Sequence, residues 1–321
     1  MRNIKQLKNI KGKTVLLRVD FNVPIRRGKI EDDFKIRKTL PTVDFLKKKG
    51  AKIILISHLT EKNGSLRPVA KYLKIKFVPD LKPGNIKNGN VVLLENLRNY
   101  PGEEKNDPRF AKKLAGLGDI YVNDAFSVSH RGHASIVGVP KYLPSYMGLL
   151  FESELKNLSA AFEPRHPFLL ILGGIKFETK LGVLNKFLHI ADKIFIGGAL
   201  VVRALQMPVA KNPKIIFPLG DPAALDANTE TLEILKKEIK KAKFILWNGP
   251  LGDYENGFDR GTVELAKMIS RSKSQSIIGG GDTVAVVKKV GLKKFSFVST
   301  AGGAMLDFLV NGTLPGIKAL K

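Results

Sequence analysis

Short apolar runs, mostly aliphatic and β-branched, recur along the chain, and longer stretches with apolar residues at helical spacing separate them. The runs predict strands over 14–19, 52–57, 75–78, 91–94, 119–123, 168–172, 193–196, 214–217, 243–247, 276–278 and 294–298. Helices are expected over 34–49, 107–117, 225–241 and 262–273. Strand and helix in regular alternation is the pattern of βαβ units around a mostly parallel sheet. The expected fold is therefore α/β, as doubly wound, Rossmann-like parallel sheets with helices on both faces.

At 321 residues the chain exceeds what one hydrophobic core usually supports, so two domains are expected. The stretch from Leu149 to Phe162 reads as a longer helical segment that ends at Pro164 and Pro167. It suggests a first domain over 1–150, a helical hinge over 151–165 and a second domain over 166–301.

In open α/β sheets ligands bind outside the carboxyl ends of the strands, so the residues just after each strand carry the chemistry. In the first half these are Asp20-Phe21-Asn22, Ser57-His58, Glu95-Asn96-Leu97-Arg98, Asp124-Ala125-Phe126 and His130-Arg131-Gly132-His133. Carboxylate, amide, imidazole and guanidinium groups gathered on one edge suit a small anionic molecule with hydroxyls. In the second half the same positions read Gly173-Gly174-Ile175-Lys176, Gly197-Gly198, Asn248-Gly249-Pro250, Gly279-Gly280-Gly281-Asp282-Thr283 and Ser299-Thr300-Ala301-Gly302-Gly303. Glycine pairs between a strand and a helix let a phosphate approach the backbone and meet the N–H groups at the helix start. Asp282 and Thr283 are placed to hold Mg2+, which takes one or two carboxylates plus phosphate oxygens.

Several classes are excluded or reduced. No GxxxxGK[ST] or GxGxxG occurs, and the HRD and DFG set of protein kinases is missing. Without cysteine there is neither a disulfide nor a thiolate nucleophile, which fits a reducing compartment. The N-terminus lacks an apolar signal region, and no stretch is long and uncharged enough to span a bilayer, so a cytoplasmic protein is expected. The 54 Lys and Arg against 29 Asp and Glu give a formal charge of +25. The lysine runs at 47–49, 236–237, 240–241 and 293–294 are not interleaved with aromatics as a base-stacking surface would be. A solvated surface that attracts small anions is expected rather than a nucleic-acid interface.

Taken in order, Arg18-Val19-Asp20-Phe21-Asn22-Val23-Pro24, Ser57-His58-Leu59, Leu94-Glu95-Asn96-Leu97-Arg98, Val122-Asn123-Asp124-Ala125-Phe126 with His130-Arg131, Leu172-Gly173-Gly174-Ile175-Lys176, Trp247-Asn248-Gly249-Pro250-Leu251-Gly252, Gly279-Gly280-Gly281-Asp282-Thr283 and Ser299-Thr300-Ala301-Gly302-Gly303 closely resemble the phosphoglycerate kinase family. The motifs are collinear and span the whole chain. The resemblance implies reversible phosphoryl transfer between 1,3-bisphosphoglycerate and ADP, giving 3-phosphoglycerate and Mg-ATP in glycolysis. It implies that Asp20, Asn22, His58, Arg98 and Arg131, with Lys35, bind the phosphoglycerate. Lys176, Lys180, Asn248, Glu255, Gly280, Gly281, Asp282, Thr283, Gly302 and Gly303 would bind the nucleotide, with Asp282 near Mg2+ and Glu255 on the ribose. Lys176 and Lys35 would neutralise the transferring group. A tail over 302–321 would return to the first domain, and a monomer acting on small molecules is expected. The alternative class is a nucleotide-binding relative without this activity that uses its charge on nucleic acid.

The chain departs from that family in four places. Lys35 stands where the family has an arginine, which exchanges a planar fork for a point charge. Ser57-His58-Leu59-Thr60-Glu61-Lys62 replaces Ser-His-Leu-Gly-Arg-Pro and lacks a substrate-binding arginine, leaving Arg37, Lys62 and Arg67 as candidates to supply charge. Between Gly198 and Trp247 the chain is short, compressed at 221–228, and Ala301 replaces a glycine.

Overall fold

A computed structural model describes residues 1–61, 64–84, 86–87 and 89–321, with Leu292 described in its backbone only. The chain divides into two compact units, Met1–Leu155 with Thr313–Lys321, and Lys156–Gly312.

In the first unit the strands are β1 (Thr14–Arg18), β2 (Ile25–Arg26), β3 (Lys29–Ile30), β4 (Lys52–Ile56), β5 (Lys76–Val78), β6 (Val91–Leu94), β7 (Ile120–Asn123) and β8 (Ser145–Met147). Six of them form a parallel sheet in the order β5-β6-β4-β1-β7-β8, and β2 pairs with β3 in a separate antiparallel hairpin. The helices are α1 (Phe34–Lys48), α2 (Arg67–Leu73), α3 (Pro101–Glu104), α4 (Pro108–Ala115) and α5 (Leu149–Ser159), and α5 crosses from the first unit into the second.

The second unit carries β9 (Phe168–Leu172), β10 (Lys193–Ile196), β11 (Ile215–Ile216), β12 (Phe244–Asn248), β13 (Gln275–Gly279) and β14 (Phe297–Val298), parallel in the order β11-β10-β9-β12-β13-β14. Around them lie α6 (Phe177–Phe187), α7 (Leu200–Leu205), α8 (Thr229–Lys241), α9 (Arg260–Arg271), α10 (Gly281–Val290) and α11 (Gly303–Asn311), and α12 (Pro315–Ala319) belongs to the first unit.

The continuous apolar runs are the central strands because parallel strands are covered on both faces. Every residue of β9 and β12 is buried, including Trp247, whose indole N–H donates to the Gly249 carbonyl at 2.8 Å. Helix ends follow local chemistry. Asp107 caps α4 by accepting from the Phe110 N–H at 2.7 Å, and Asn228 caps α8 through Thr231 at 2.9 Å.

The sequence-based expectations differ from the structure mainly at sheet edges. β11 and β14 keep two residues each because an outer strand is paired on one side only. The β2–β3 hairpin and the edge strand β8 have runs of two and three residues, too short for an alternation signal. The sequence places the hinge at 151–165 and a returning tail at 302–321. In the structure the division falls within α5, and the chain rejoins the first unit at Thr313, because α11 lies with the second unit and packs on α6 there.

Candidate functional site

Strand order decides which strand-end residues meet. In the first sheet β1 lies between β4 and β7, with Arg18 in register with Ile56 and with Asn123, and β6 follows β4. The loops after β6, β4, β1 and β7 therefore emerge side by side, carrying Arg98, His58, Asp20 and the segment from Ser127 to Arg131.

Asp20 is buried and its carboxylate is fully engaged. Oδ1 accepts the Asn22 N–H at 3.0 Å, while Oδ2 takes the Lys35 ammonium at 2.7 Å and the Ser127 hydroxyl. Burial alone would raise Asp20, but the Lys35 ammonium and the Ser127 hydroxyl hold it well below the usual carboxylate range. Lys35 reaches it from the first turn of α1. Asn22 exchanges two hydrogen bonds with Thr60, at 2.9 and 3.0 Å, so the loop after β4 is tied to the loop after β1.

His58 is 2 % exposed, and burial, then Arg18, push its pKa well below the imidazole range against the pull of Asp20. His133 is lowered to about 4 by burial, then by Arg98 and Arg131. Both imidazoles are neutral at pH 7.

Arg98 makes one ion pair, from Nη1 to Glu104 at 2.8 Å. Its Nε and Nη2 are buried and find no hydrogen-bond partner among the described residues. A guanidinium with two unsatisfied buried donors is costly unless something accepts from them, and a bidentate anion is the ligand that fits. Arg131 lies close by, its charge felt by both Arg98 and His133.

The three candidate compensating cations lie elsewhere or outside the description. Arg37 is paired with Asp33 at 3.0 Å and is mostly exposed, and Arg67 stacks its guanidinium over the Phe77 ring at 4.6 Å. Lys62 lies outside the described residues.

Glu95 and Asn96, which the strand-end pattern also brought forward, serve the loop instead. Glu95 accepts from Ser65, Leu66 and Asn96, and Asn96 bridges Leu59 and Gly64. Conversely, Arg18 and Ser127 stand in the site although pattern reading assigned them no role. The signal available for Arg18 was a charged residue inside the apolar run of β1.

In the second sheet the order of strands reverses between β9 and β12, which is where an open sheet forms its crevice. A cavity of about 480 Å³ lies at their carboxyl ends, lined by Lys176, Lys180, Asn248, Glu255, Asp282 and the glycines at 174, 280–281 and 302–303, among others. Three helix starts face it: Lys176 precedes α6, Gly280 precedes α10 and Gly302 precedes α11. Their free N–H groups and dipoles favour a polyanion.

In the loops after β9 and β12 the glycines at 173 and 249 are needed because backbone meets backbone. The Gly174 N–H donates to Pro250 at 2.7 Å, Gly249 has φ +99°, and a Cβ on Gly249 would lie 2.0 Å from the Gly173 oxygen.

Lys180 is 8 % exposed; burial depresses its pKa, with Asp282 opposing and Lys176 adding to the effect. Lys176 and Asp282 are exposed to the cavity. Thr283 also lines the cavity, and its hydroxyl accepts the Gly249 N–H at 2.8 Å, so it braces the loop. Among the described residues no three His, Cys, Asp or Glu side chains cluster to hold a metal by themselves. Asp282 alone fits a divalent ion whose other ligands are phosphate oxygens and water.

Beside this cavity lies an apolar one of about 290 Å³, lined by Ile175, Ala199, Val202 and the turn Pro222-Ala223-Ala224-Leu225, with Asp253 at its edge. The turn belongs to the compressed segment. Asn228 donates to the Leu219 carbonyl at 2.9 Å, Asp226 accepts the Gly261 N–H at 2.9 Å, and the Asp253 N–H donates to Leu225 at 2.9 Å.

Comparison with known proteins places this geometry. A family profile described as phosphoglycerate kinase matches residues 4–215 and 210–312. The phosphoglycerate kinase of Dictyoglomus turgidum is 39% identical over a 382-position alignment that covers 98% of this chain and 96% of the relative. That of Borrelia garinii is 39% identical over 390 positions, covering 100% and 99%. Alignments so much longer than a 321-residue chain mean that the relatives carry segments absent here, and the break in the profile at 210–215 falls in the compressed region. Among solved structures, phosphoglycerate kinase from Pyrococcus horikoshii superposes with a TM-score of 0.90 at 29% identity, covering 100% of this chain and 98% of that one. The enzyme from Coxiella burnetii superposes with a TM-score of 0.86 at 32% identity, covering 99% and 98%.

Proposed function

The chain belongs to the phosphoglycerate kinase family, a glycolytic phosphotransferase moving a phosphoryl group reversibly between 1,3-bisphosphoglycerate and ADP, and from that premise we propose how its residues divide the work. The first unit binds the phosphoglycerate through Asp20, Asn22, Lys35, His58, Arg98 and Arg131. The second binds nucleotide phosphates through Lys176, Lys180 and the helix starts at Gly280-Gly281 and Gly302-Gly303, with Glu255 toward the ribose. The apolar cavity against Pro222–Leu225 takes the base.

The observation that carries this division is Arg98, whose two unpartnered buried donors ask for an oxyanion next to Asp20 and His58. A phosphate on Arg98 and Arg131 leaves hydroxyl and carboxylate groups of the substrate for Asp20, Asn22 and neutral His58.

The acceptor in the ATP-consuming direction is a carboxylate, ionised far below pH 7, so no general base is required. That agrees with a buried His58 and a half-buried His133 that are both neutral. Catalysis then rests on alignment and on neutralising the charge of the transferring group, which Lys35 and Lys176 supply as point charges. Asp282 would hold Mg2+, which would supply further charge neutralisation when bound. Transfer requires the acceptor held by one unit to meet the donor held by the other, so hinge closure about α5 and the crossing at Gly312 is part of the reading. The reading also includes a cytoplasmic monomer whose +25 charge attracts small anions.

A coupled assay in both directions, at two salt concentrations, tests it. Wild type should form ATP from ADP and 1,3-bisphosphoglycerate, and Lys176→Ala should lose the activity. Wild-type turnover no higher than background, or salt-sensitive binding of unrelated duplex DNA with none of 3-phosphoglycerate, would refute it.

A further inference from the structure

Glu103 is a buried carboxylate that the phosphoryl-transfer reading does not use. It sits in α3, 0% exposed, and holds Ser135 with both oxygens: the Ser135 hydroxyl donates to Oε1 at 2.5 Å and the Ser135 N–H to Oε2 at 2.9 Å. The same hydroxyl oxygen accepts from Arg18 Nε at 2.8 Å, and the Ser135 carbonyl accepts from the buried Tyr121 hydroxyl at 2.5 Å. Arg18, 1% exposed at the end of β1, then donates from Nη1 to its neighbour's carbonyl, on Val19, and turns Nη2 toward His58 Nδ1 at 3.3 Å.

A guanidinium has five N–H donors and no acceptor, so at that contact the imidazole Nδ1 must supply the lone pair. A neutral histidine in that arrangement carries its proton on Nε2. The ring is neutral because burial and the cations Arg18, Arg98 and Lys35 outweigh the carboxylate of Asp20. We propose that Glu103 is a positioning residue for the reaction: acting through Ser135 and Arg18, it fixes His58 as the Nε2–H tautomer, a hydrogen-bond donor to an anionic substrate.

A serine between the two charges explains why the carboxylate does not simply pair with Arg18. The hydroxyl accepts from one and donates to the other, so it sets the rotation of the guanidinium as well as its place. Free to rotate, Arg18 could still neutralise charge but would no longer dictate which imidazole nitrogen is protonated.

The inference rests on the reading that His58 belongs to the phosphoglycerate site, and the test separates the two. In protein labelled with 15N at histidine, long-range 1H–15N spectra should show wild-type His58 as a single Nε2–H tautomer from about pH 6 to 8. Ser135→Ala and Arg18→Lys should each give a mixture of tautomers, with KM for 3-phosphoglycerate raised about tenfold and KM for ATP within about twofold of wild type. Ser135→Thr, which keeps the hydroxyl, should restore the single tautomer. Wild-type His58 protonated on Nδ1, a result that needs no variant, would overturn the proposal. So would a tautomer left unchanged in both Ser135→Ala and Arg18→Lys. A tautomer that shifts while KM for 3-phosphoglycerate stays fixed would support the positioning chain and count against His58 as a substrate contact.

Discussion

Along the carboxyl edge of the first sheet the groups that face a ligand are side chains, and they are already engaged with one another, as Lys35 and Ser127 are on Asp20 and Arg18 is on His58. Along the second edge they are largely backbone N–H groups at the starts of α6, α10 and α11, and the loops after β9 and β12 touch main chain to main chain at Gly173 and Gly249. The first edge reads a small molecule atom by atom. The second offers a field and a cradle, in which shape is fixed by the absence of side chains. Substitutions on the first should therefore alter kinetics with the fold intact, and substitutions of Gly173 and Gly249 on the second should act on the fold itself.

The largest effect is expected at Gly249. With φ +99° and a Cβ that would fall 2.0 Å from the Gly173 oxygen, Gly249→Ala should cost about 3 kcal/mol or more and abolish ADP binding, read by urea unfolding and by titration calorimetry. Wild-type affinity for ADP in that variant would show that the loops do not depend on the close approach. Next comes Lys35→Met, which leaves the buried Asp20 without its cation. Its kcat/KM for 3-phosphoglycerate should drop about 10²–10³-fold with KM for ATP unchanged and the far-UV spectrum native. If the variant fails to fold instead, the contrast between the two edges is lost.

A third effect concerns pH. Burial raises Asp124 from 3.8 to about 7, with hydrogen bonds from Thr42, Phe151 and Leu150 opposing it and Glu154 adding to it. The native state then holds a proton that the unfolded chain has released between about pH 4 and 7, so stability due to this group declines as pH rises through that window. The full difference is about 4 kcal/mol, reached above pH 7. Asp124→Asn should flatten the decline in urea midpoint between pH 5 and 8, and parallel slopes in the two proteins would sink the assignment. Smallest of all, removing the exposed Lys236–Glu233 pair by Lys236→Ala should change stability by less than about 0.5 kcal/mol, measured the same way.

Much of this was legible beforehand. The apolar runs located the central strands of both sheets, and inspecting the residues after them brought forward Asp20, His58, Arg98, Lys176 and Asp282 together. What pattern reading could not do was sort those residues by task. Glu95 and Asn96 look as catalytic in sequence as Arg98 does, yet they hold a loop. Thr283 lines the cavity of the second sheet, and pattern reading could not show that its hydroxyl also braces Gly249. Ser127, Glu103 and Ser135 carry no strand-end signature, or lie far from their partners in sequence, and Glu103 and Ser135 are 32 residues apart. Short edge strands escaped because two or three residues cannot display a period.

By itself the sequence determined the alternation of strand and helix, the chemical difference between the halves and the shortening between Gly198 and Trp247, since each is written in local pattern and length. The order β6-β4-β1-β7 was decided only in the tertiary structure, and with it the meeting of Arg98, His58, Asp20 and Ser127. No local periodicity encodes which strands become neighbours. Burial was decided there too, and burial is what makes His58 neutral, leaves two donors of Arg98 open, and turns Glu103 from a surface acid into an anchor.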